Sequence, residues 1–385
     1  MTPPRPLPLV LLLALAACGP TPAPAPRTPA RATAPATQAA DAMGIPSTRT
    51  ERGQRDAVGF ATNAAQMAEV WRLSGEWPQP IPLATLPADA RVAGVVSPHD
   101  DYVYAGRVYR AILPEVRARR VILRGVFHGW RRFNARDRLV FDAFRTWRTP
   151  DGPVPVSPLR DELVARLPAD SAVVSNAMHD AEHSIEAIVY WLRHRRPDLE
   201  IVPILVPVMG EARMRDRADA LARALAALMR ERGWALGRDL QIVISADAVH
   251  YGADFKHTPF GLGGREAYAR AVANDTRVLK SFAGPVTDER AHLALETFTD
   301  PADPARYRLT WCGRFSIPFG MMLISRVARA LGDEGVELRP IVHATSLSAR
   351  PLAVKAPGLG VTAPATFEHF VGYPAAAFVL PSRPR

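Results

Sequence analysis

Residues Val92–His99 read VAGVVSPH, a run of small and β-branched residues followed by Ser97, Pro98 and a histidine. An apolar run with no polar alternation predicts a strand buried on both faces, as in the interior of an α/β sheet. The same phrase returns twice. Val121–His128 (VILRGVFH) and Gln241–His250 (QIVISADAVH) each pass from a buried strand into a loop that ends on histidine, the latter with Asp247 three residues ahead of it. In open α/β sheets ligands bind in the crevice beyond the carboxyl ends of the strands, so His99, His128 and His250 are expected to share one site. Neutral imidazole is both the commonest metal ligand and the usual general base near neutral pH, and the residues alone leave both roles open.

Outward from these stretches, short apolar strands alternate with amphipathic helices. Helices are predicted over Arg107–Arg117, Ala181–His194, Glu211–Arg232, Tyr268–Phe282 and Ile317–Leu331. Strands are predicted over Leu139–Phe141, Val336–Ile341 and Ala376–Leu380. Ile201–Val208 (IVPILVPV) reads as a strand whose prolines place it at an irregular or edge position. The pattern predicts one α/β domain over residues 48–385, a central mixed sheet flanked by helices. No GxGxxG or GxxxxGK[ST] follows a strand, which argues against nucleotide-binding folds.

The beginning of the chain has a different character. Arg5 precedes an apolar run over Leu9–Ala17, long enough for a signal-peptide core and too short to span a bilayer. Leu15-Ala16-Ala17-Cys18 resembles a bacterial lipobox, so residues 1–17 are expected to be a signal peptide and Cys18 the lipidated residue. Gly19 after the cysteine suggests the outer membrane, with the protein facing the periplasm. Residues 18–47 are rich in Pro, Ala and Thr and are expected to form a semi-extended tether. The net charge is +10, but only Lys256, Lys280 and Lys355 are lysines and the arginines are scattered. No basic stripe is interleaved with aromatics, so a nucleic-acid partner is not expected.

The chain has two cysteines. With Cys18 lipidated, Cys312 is left as an unpaired thiol in an oxidising compartment, which favours burial or metal coordination. Its place in Trp311-Cys312-Gly313-Arg314, just before a predicted helix, is expected to favour the thiolate. Glu182, His183 and Glu186 are read as the opening turn of a helix, with His183 and Glu186 on one face. They are expected to orient ligand side chains rather than to coordinate.

At these residues the chain resembles the Memo family, called AmmeMemoRadiSam system protein B in bacteria. The motifs are Ser97-Pro98-His99 with Tyr102, Tyr104 and Gly106; Gly125 with His128; and Arg148-Thr149-Pro150. Glu182-His183-Ser184-Ile185-Glu186, Ser245 and Asp247 with His250, and Cys312-Gly313-Arg314 complete the set. The family is similar in fold to class III extradiol dioxygenases, which hold non-haem iron. Its metal-site pattern falls here on His99, His128 and Cys312, with Asp247 and His250 lining the same pocket. This sequence departs from the usual pattern at Asp100 and Asp101, where relatives carry Ala-Gly, and at Gly129 and Phe315-Ser316.

The resemblance implies a divalent-metal site, iron first and copper or zinc as thiolate-compatible choices, in a dioxygenase-like enzyme acting on a small molecule, while the membrane tether is expected from the lipobox alone and departs from the family. Asp247 and His250 would then transfer protons, Arg314 would hold a substrate anion, and Tyr102 would line the substrate pocket. Two other functions fit the same residues: a non-catalytic metal or ligand carrier, and a metal-free Cys-His hydrolase built on Cys312.

Overall fold

The computed structural model describes residues 43–76 and 83–382. The expected signal peptide, Cys18 and the tether up to residue 42 lie outside the described residues. From Gly44 onward the chain is already bound to the domain: Gly44 N donates to Arg55 O, Ile45 bridges Gln54, and Ser47 Oγ donates to Asp180.

The first elements are β1 (Glu51–Arg52), α1 (Ala64–Ser74), β2 (Arg91–Ser97), α2 (Tyr102–Ile112), β3 (Arg120–Val126), β4 (Leu139–Phe141), β5 (Thr146–Trp147) and β6 (Val154–Pro155). Then come α3 (Leu159–Arg166), β7 (Ala172–Val174), α4 (Asn176–Asp180), α5 (Glu186–Arg195), β8 (Glu200–Val206), α6 (Glu211–Glu231), β9 (Leu240–Ser245) and β10 (His250–Gly252). The chain continues through α7 (Gly264–Ser281), β11 (Gly284–Pro285), α8 (Asp288–Phe298), α9 (Ser316–Ala330), β12 (Glu337–Thr345) and β13 (His369–Leu380).

The main sheet runs β11-β12-β13-β2-β9-β3-β8-β4-β7, with β10 joined to β13. Its centre is parallel: β2 pairs with β9, β9 with β3, and β3 with β8. The strands β13 and β4 flank that centre antiparallel, which makes the sheet mixed. Helices cover both faces. Gly94 and Arg124 turn towards α9, against Ile324 and Phe319, whereas Gly125 turns the other way, against Ile185 ahead of α5. Gly320 lets α9 press close to the sheet, because a Cβ there would stand 2.2 Å from Ile244 Cδ1. A short second sheet, β1-β5-β6, ties the N-terminal segment to the domain.

Three expectations shift. The helix read as Arg107–Arg117 is α2, which begins five residues earlier and yields to a 3-10 turn over Leu113–Glu115. Tyr102, Ala105, Tyr109 and Ile112 form its buried stripe. The helix read from Ala181 starts only at Glu186, because the Glu182 carboxylate draws the preceding backbone N–H groups into a loop. The strand with the prolines is neither irregular nor at an edge. It pairs with β3 along its whole length, Leu123 opposite Pro203, while β4 reaches only Ile204 and Leu205, so the missing Pro203 N–H breaks no ladder bond there.

Candidate metal centre

Because β2, β9 and β3 are adjacent and parallel, their carboxyl ends open on one side of the sheet. His99 lies two residues past β2, His128 opens a 3-10 turn past β3, and the segment after β9 carries Asp247 and His250. Cys312 comes from a 3-10 turn, Cys312–Arg314, that precedes α9. Gly313 in that turn presses on the end of β9, where a Cβ would stand 2.3 Å from Ala246 Cβ. His99, His128 and Cys312 each offer one donor atom, and these atoms lie within 4.8 Å of one another.

The hydrogen bonds decide which ring nitrogen faces that centre. Ser245 Oγ donates its proton to Ser184 O, so it accepts from His99 Nδ1 at 2.7 Å. His99 Nε2 therefore keeps its lone pair, 3.8 Å from Cys312 Sγ and 3.3 Å from Asp247 Oδ2. At His128, Nδ1 lies 2.9 Å from Glu182 Oε1 and the backbone N donates to Glu182 Oε2 at 2.6 Å. A carboxylate only accepts, so His128 too is left with a free Nε2. Such acceptors behind a ring fix the tautomer and raise the basicity of a ligand imidazole.

Burial sets the charges. His99 is held well below the usual histidine range, first by desolvation and then by His183 and His128. Burial alone would raise Glu182, but His128, His183 and the backbone donors hold it well below the carboxylate range. His183 also loses solvation, yet Asp56, with Oδ2 2.6 Å from Nδ1, outweighs the loss and lifts it to about 10. Its ring stands 5.4 Å from that of His99 and 5.2 Å from that of His128. With His128 and Glu182 it forms a second set of potential ligand atoms within 4.8 Å of one another. His250 Nδ1 lies 3.1 Å from both Ala248 O and Thr310 O, which leaves its Nε2 as an acceptor; burial lowers it to about 4.

These donors suit a divalent transition metal: two imidazoles whose Nδ1 is engaged and whose Nε2 is free, one thiol, and buried carboxylates behind them. Residues 76–348, well over half of the chain, match the Memo-like protein family. The chain belongs to the Memo-like family. It is 28% identical over 200 residues to a MEMO1 family protein of Thermococcus kodakarensis, covering 50% of this chain and 64% of the relative. A MEMO1 family protein of Archaeoglobus fulgidus is 32% identical over 171 residues, covering 43% and 59%. One of Pyrococcus abyssi is 30% identical over 178 residues, covering 44% and 57%. The matched stretch thus spans a little under two thirds of these relatives. The mixed sheet flanked by helices agrees with the class III extradiol dioxygenase-like fold implied by the resemblance.

Within this Memo-like domain several expected roles change. Tyr102 is fully buried, donates to Ala187 O and packs on Tyr109 and Trp191, so it belongs to the core. Two residues on, Tyr104 turns to the cavity beside the site. Arg314 lies 3.4 Å above the Tyr307 ring and donates to Trp311 O, an engaged guanidinium rather than one held out to an anion. Glu186 shares no helical face with His183; its carboxylate takes Arg52 and the backbone N–H groups of Arg55 and Asp56. It thereby holds the segment that brings Asp56 to His183. Asp247 faces His99 through both its oxygens, and burial, then Asp100, pushes it well above the carboxylate range. The thiol of Cys312 is not favoured as thiolate: desolvation, then Asp247, pushes it well up. Ser245 and Asp56 hold imidazoles, roles that sequence reasoning does not assign to them. A serine closing an apolar strand beside an Asp is a usable signal for Ser245; Asp56, in a loop far from His183 in sequence, carries none.

Proposed function

We propose that this Memo-like protein binds a divalent transition metal through His99, His128 and Cys312 and acts as a dioxygenase-like oxidoreductase on a small molecule. The observation that carries this reading is the convergence of those three donors within 4.8 Å, each imidazole with Nδ1 tied to an acceptor behind it. Iron is the first choice, with copper or zinc suited to the sulfur donor. When bound, the metal would supply Lewis acidity and, for iron or copper, one-electron redox capacity.

The protein's own groups would do the rest. His250 is uncharged at neutral pH and presents Nε2, so it would accept a proton from a bound small molecule. Asp247 would steady the His99 backbone by accepting from its N–H rather than act on substrate. Glu182 and Asp56 would hold His128 and His183 in place. The raised thiol of Cys312 counts against a metal-free Cys-His hydrolase, which needs thiolate at neutral pH. We further propose export as a lipoprotein anchored through Cys18 in the outer membrane, a reading supported by the lipobox-like LAAC ending at that residue.

Elemental analysis of protein purified after export tests the metal assignment. Wild type should carry about one metal per chain, held by three protein donors with a position left open. His99→Ala should lose it, while His292→Ala, at an exposed side chain paired with Glu211, should not. Equal metal content in wild type and His99→Ala, or none in wild type after incubation with iron(II), copper(II) or zinc(II), would overturn the assignment.

A further inference from the structure

Beside the candidate metal centre the fold leaves a cavity of about 280 Å³, at the small end of ligand-binding pockets. Asp100, Tyr104, His250, Phe255, His369 and Phe370 are among its lining residues, and among the described residues no lysine or arginine lines it. The carboxylate at Asp100 stands directly after His99.

Asp100 is set rigidly. Its Oδ2 accepts from Tyr373 OH at 2.7 Å and its Oδ1 from Asp101 N at 2.8 Å. Its carbonyl O accepts from Tyr109 OH at 2.8 Å. One donor per oxygen leaves acceptor capacity on both, since a carboxylate offers roughly four lone-pair positions. Among the described residues that line the cavity, no lysine or arginine meets it. The other strong polar group of the cavity, His250, also presents an acceptor. Tyr104 has its hydroxyl committed to Ala363 O and Ala365 N. His369 is drawn to Asp254, 3.3 Å away. The remaining wall is aromatic, with the Phe255 ring 5.1 Å from that of His250 and 4.8 Å from that of His369.

We propose that this cavity binds a small organic ammonium, a primary amine on an aromatic or short alkyl body, with the nitrogen on Asp100 and the body against Phe255 and Phe370. An ammonium brings the donors and the positive charge that the cavity lacks, and aromatic walls attract cations further. A carboxylate-bearing ligand would meet Asp100 with like charge. The assignment deepens the oxidoreductase reading by naming its substrate class and rests on that reading for its catalytic meaning, but binding itself needs no metal.

The test is isothermal titration of phenethylamine, 2-phenylethanol and phenylacetate into the full-length protein, once treated with EDTA and once loaded with zinc. Phenethylamine should bind in both forms. The alcohol and the acid should bind at least about tenfold more weakly, the ratio expected for one charge-assisted hydrogen bond. Asp100→Asn keeps an acceptor for Tyr373 and removes the charge; it should erase the preference for amine over alcohol. If that variant fails to fold, the wild-type ranking of the three probes decides alone. No amine binding in the millimolar range, equal binding of the alcohol or acid, or an undiminished amine preference in Asp100→Asn would overturn the proposal. Loss of zinc binding with amine binding intact would count against the metal reading only.

Discussion

Replacing Glu182 by glutamine puts the support behind the metal centre to a direct test. Its carboxylate receives four donors: His128 Nδ1, His183 N and Ser184 N on Oε1, and His128 N on Oε2. An amide has one oxygen. In its better orientation it keeps the three donors on one side and turns its NH₂ onto the His128 backbone N–H. That leaves a buried N–H unpaired, at about 1–3 kcal/mol, and makes three charge-assisted bonds neutral, at about 1 kcal/mol each. The sum is about 4–6 kcal/mol, and for a domain of this size roughly 1.5 °C in Tm per kcal/mol, so the metal-free protein should melt roughly 6–9 °C lower. Loss of an acceptor behind a ligand histidine typically weakens metal affinity by roughly 10–100-fold. Differential scanning calorimetry of EDTA-treated protein and a competitive zinc titration measure the two effects. The stability gap also has a definite pH dependence. Glu182 is held below its unfolded value, so its contribution is complete above about pH 4–5 and fades as pH falls further. A variant with wild-type melting and zinc affinity within about threefold of wild type would refute the assignment of Glu182 as the group that fixes His128.

Three other outcomes are expected. Arg124 is fully buried, finds no hydrogen-bond partner for its guanidinium nitrogens, stacks 4.0 Å over Phe319 and is lowered by burial to about 9; Arg124→Met should raise stability by about 1–4 kcal/mol in urea unfolding, and a loss instead would refute the reading of an uncompensated charge. Asp101 is raised to about 7, by burial and then by Asp100, so the folded state keeps a proton that the unfolded chain has released. Stability of the wild type should therefore fall as pH rises from about 4 to 7, and Asp101→Asn should remove that slope by up to a few kcal/mol; parallel profiles would show the shift to be wrong. Cys18→Ser should abolish lipidation, seen as loss of metabolic labelling with radiolabelled palmitate, and persistent labelling would rule out that cysteine as the attachment point.

Much of the sheet is legible in the sequence because its centre is parallel. Strands β2, β3 and β9 are buried on both faces, so their sequences are dominated by apolar and small residues without polar alternation. The parallel order then carries the residues after them to one side, which is why the sequence alone groups His99, His128 and His250. Helix phase is harder to read. Tyr102 and Tyr104 lie two residues apart on α2, a separation of about 200° around a helix, and only the packing of Trp191 and Tyr109 decides that Tyr102 is core. The loop before α5 carries a helix-like sequence that is overruled by one carboxylate, Glu182, accepting from backbone far away at His128. The pairing of Arg52 with Glu186 and Asp56 with His183 spans more than a hundred residues and leaves no local pattern.

That last pairing has a mechanical side. Arg52 donates to His179 O and Glu182 O and lies 4.2 Å over the Trp147 ring, and Asp56 follows four residues later against His183. The N-terminal segment therefore works as a strap over the loop that bears two of the site's side chains, yet it adds no strand to the large sheet. A protease cut between Gly53 and Val58 would be felt at His183 while the strands beneath kept their registry.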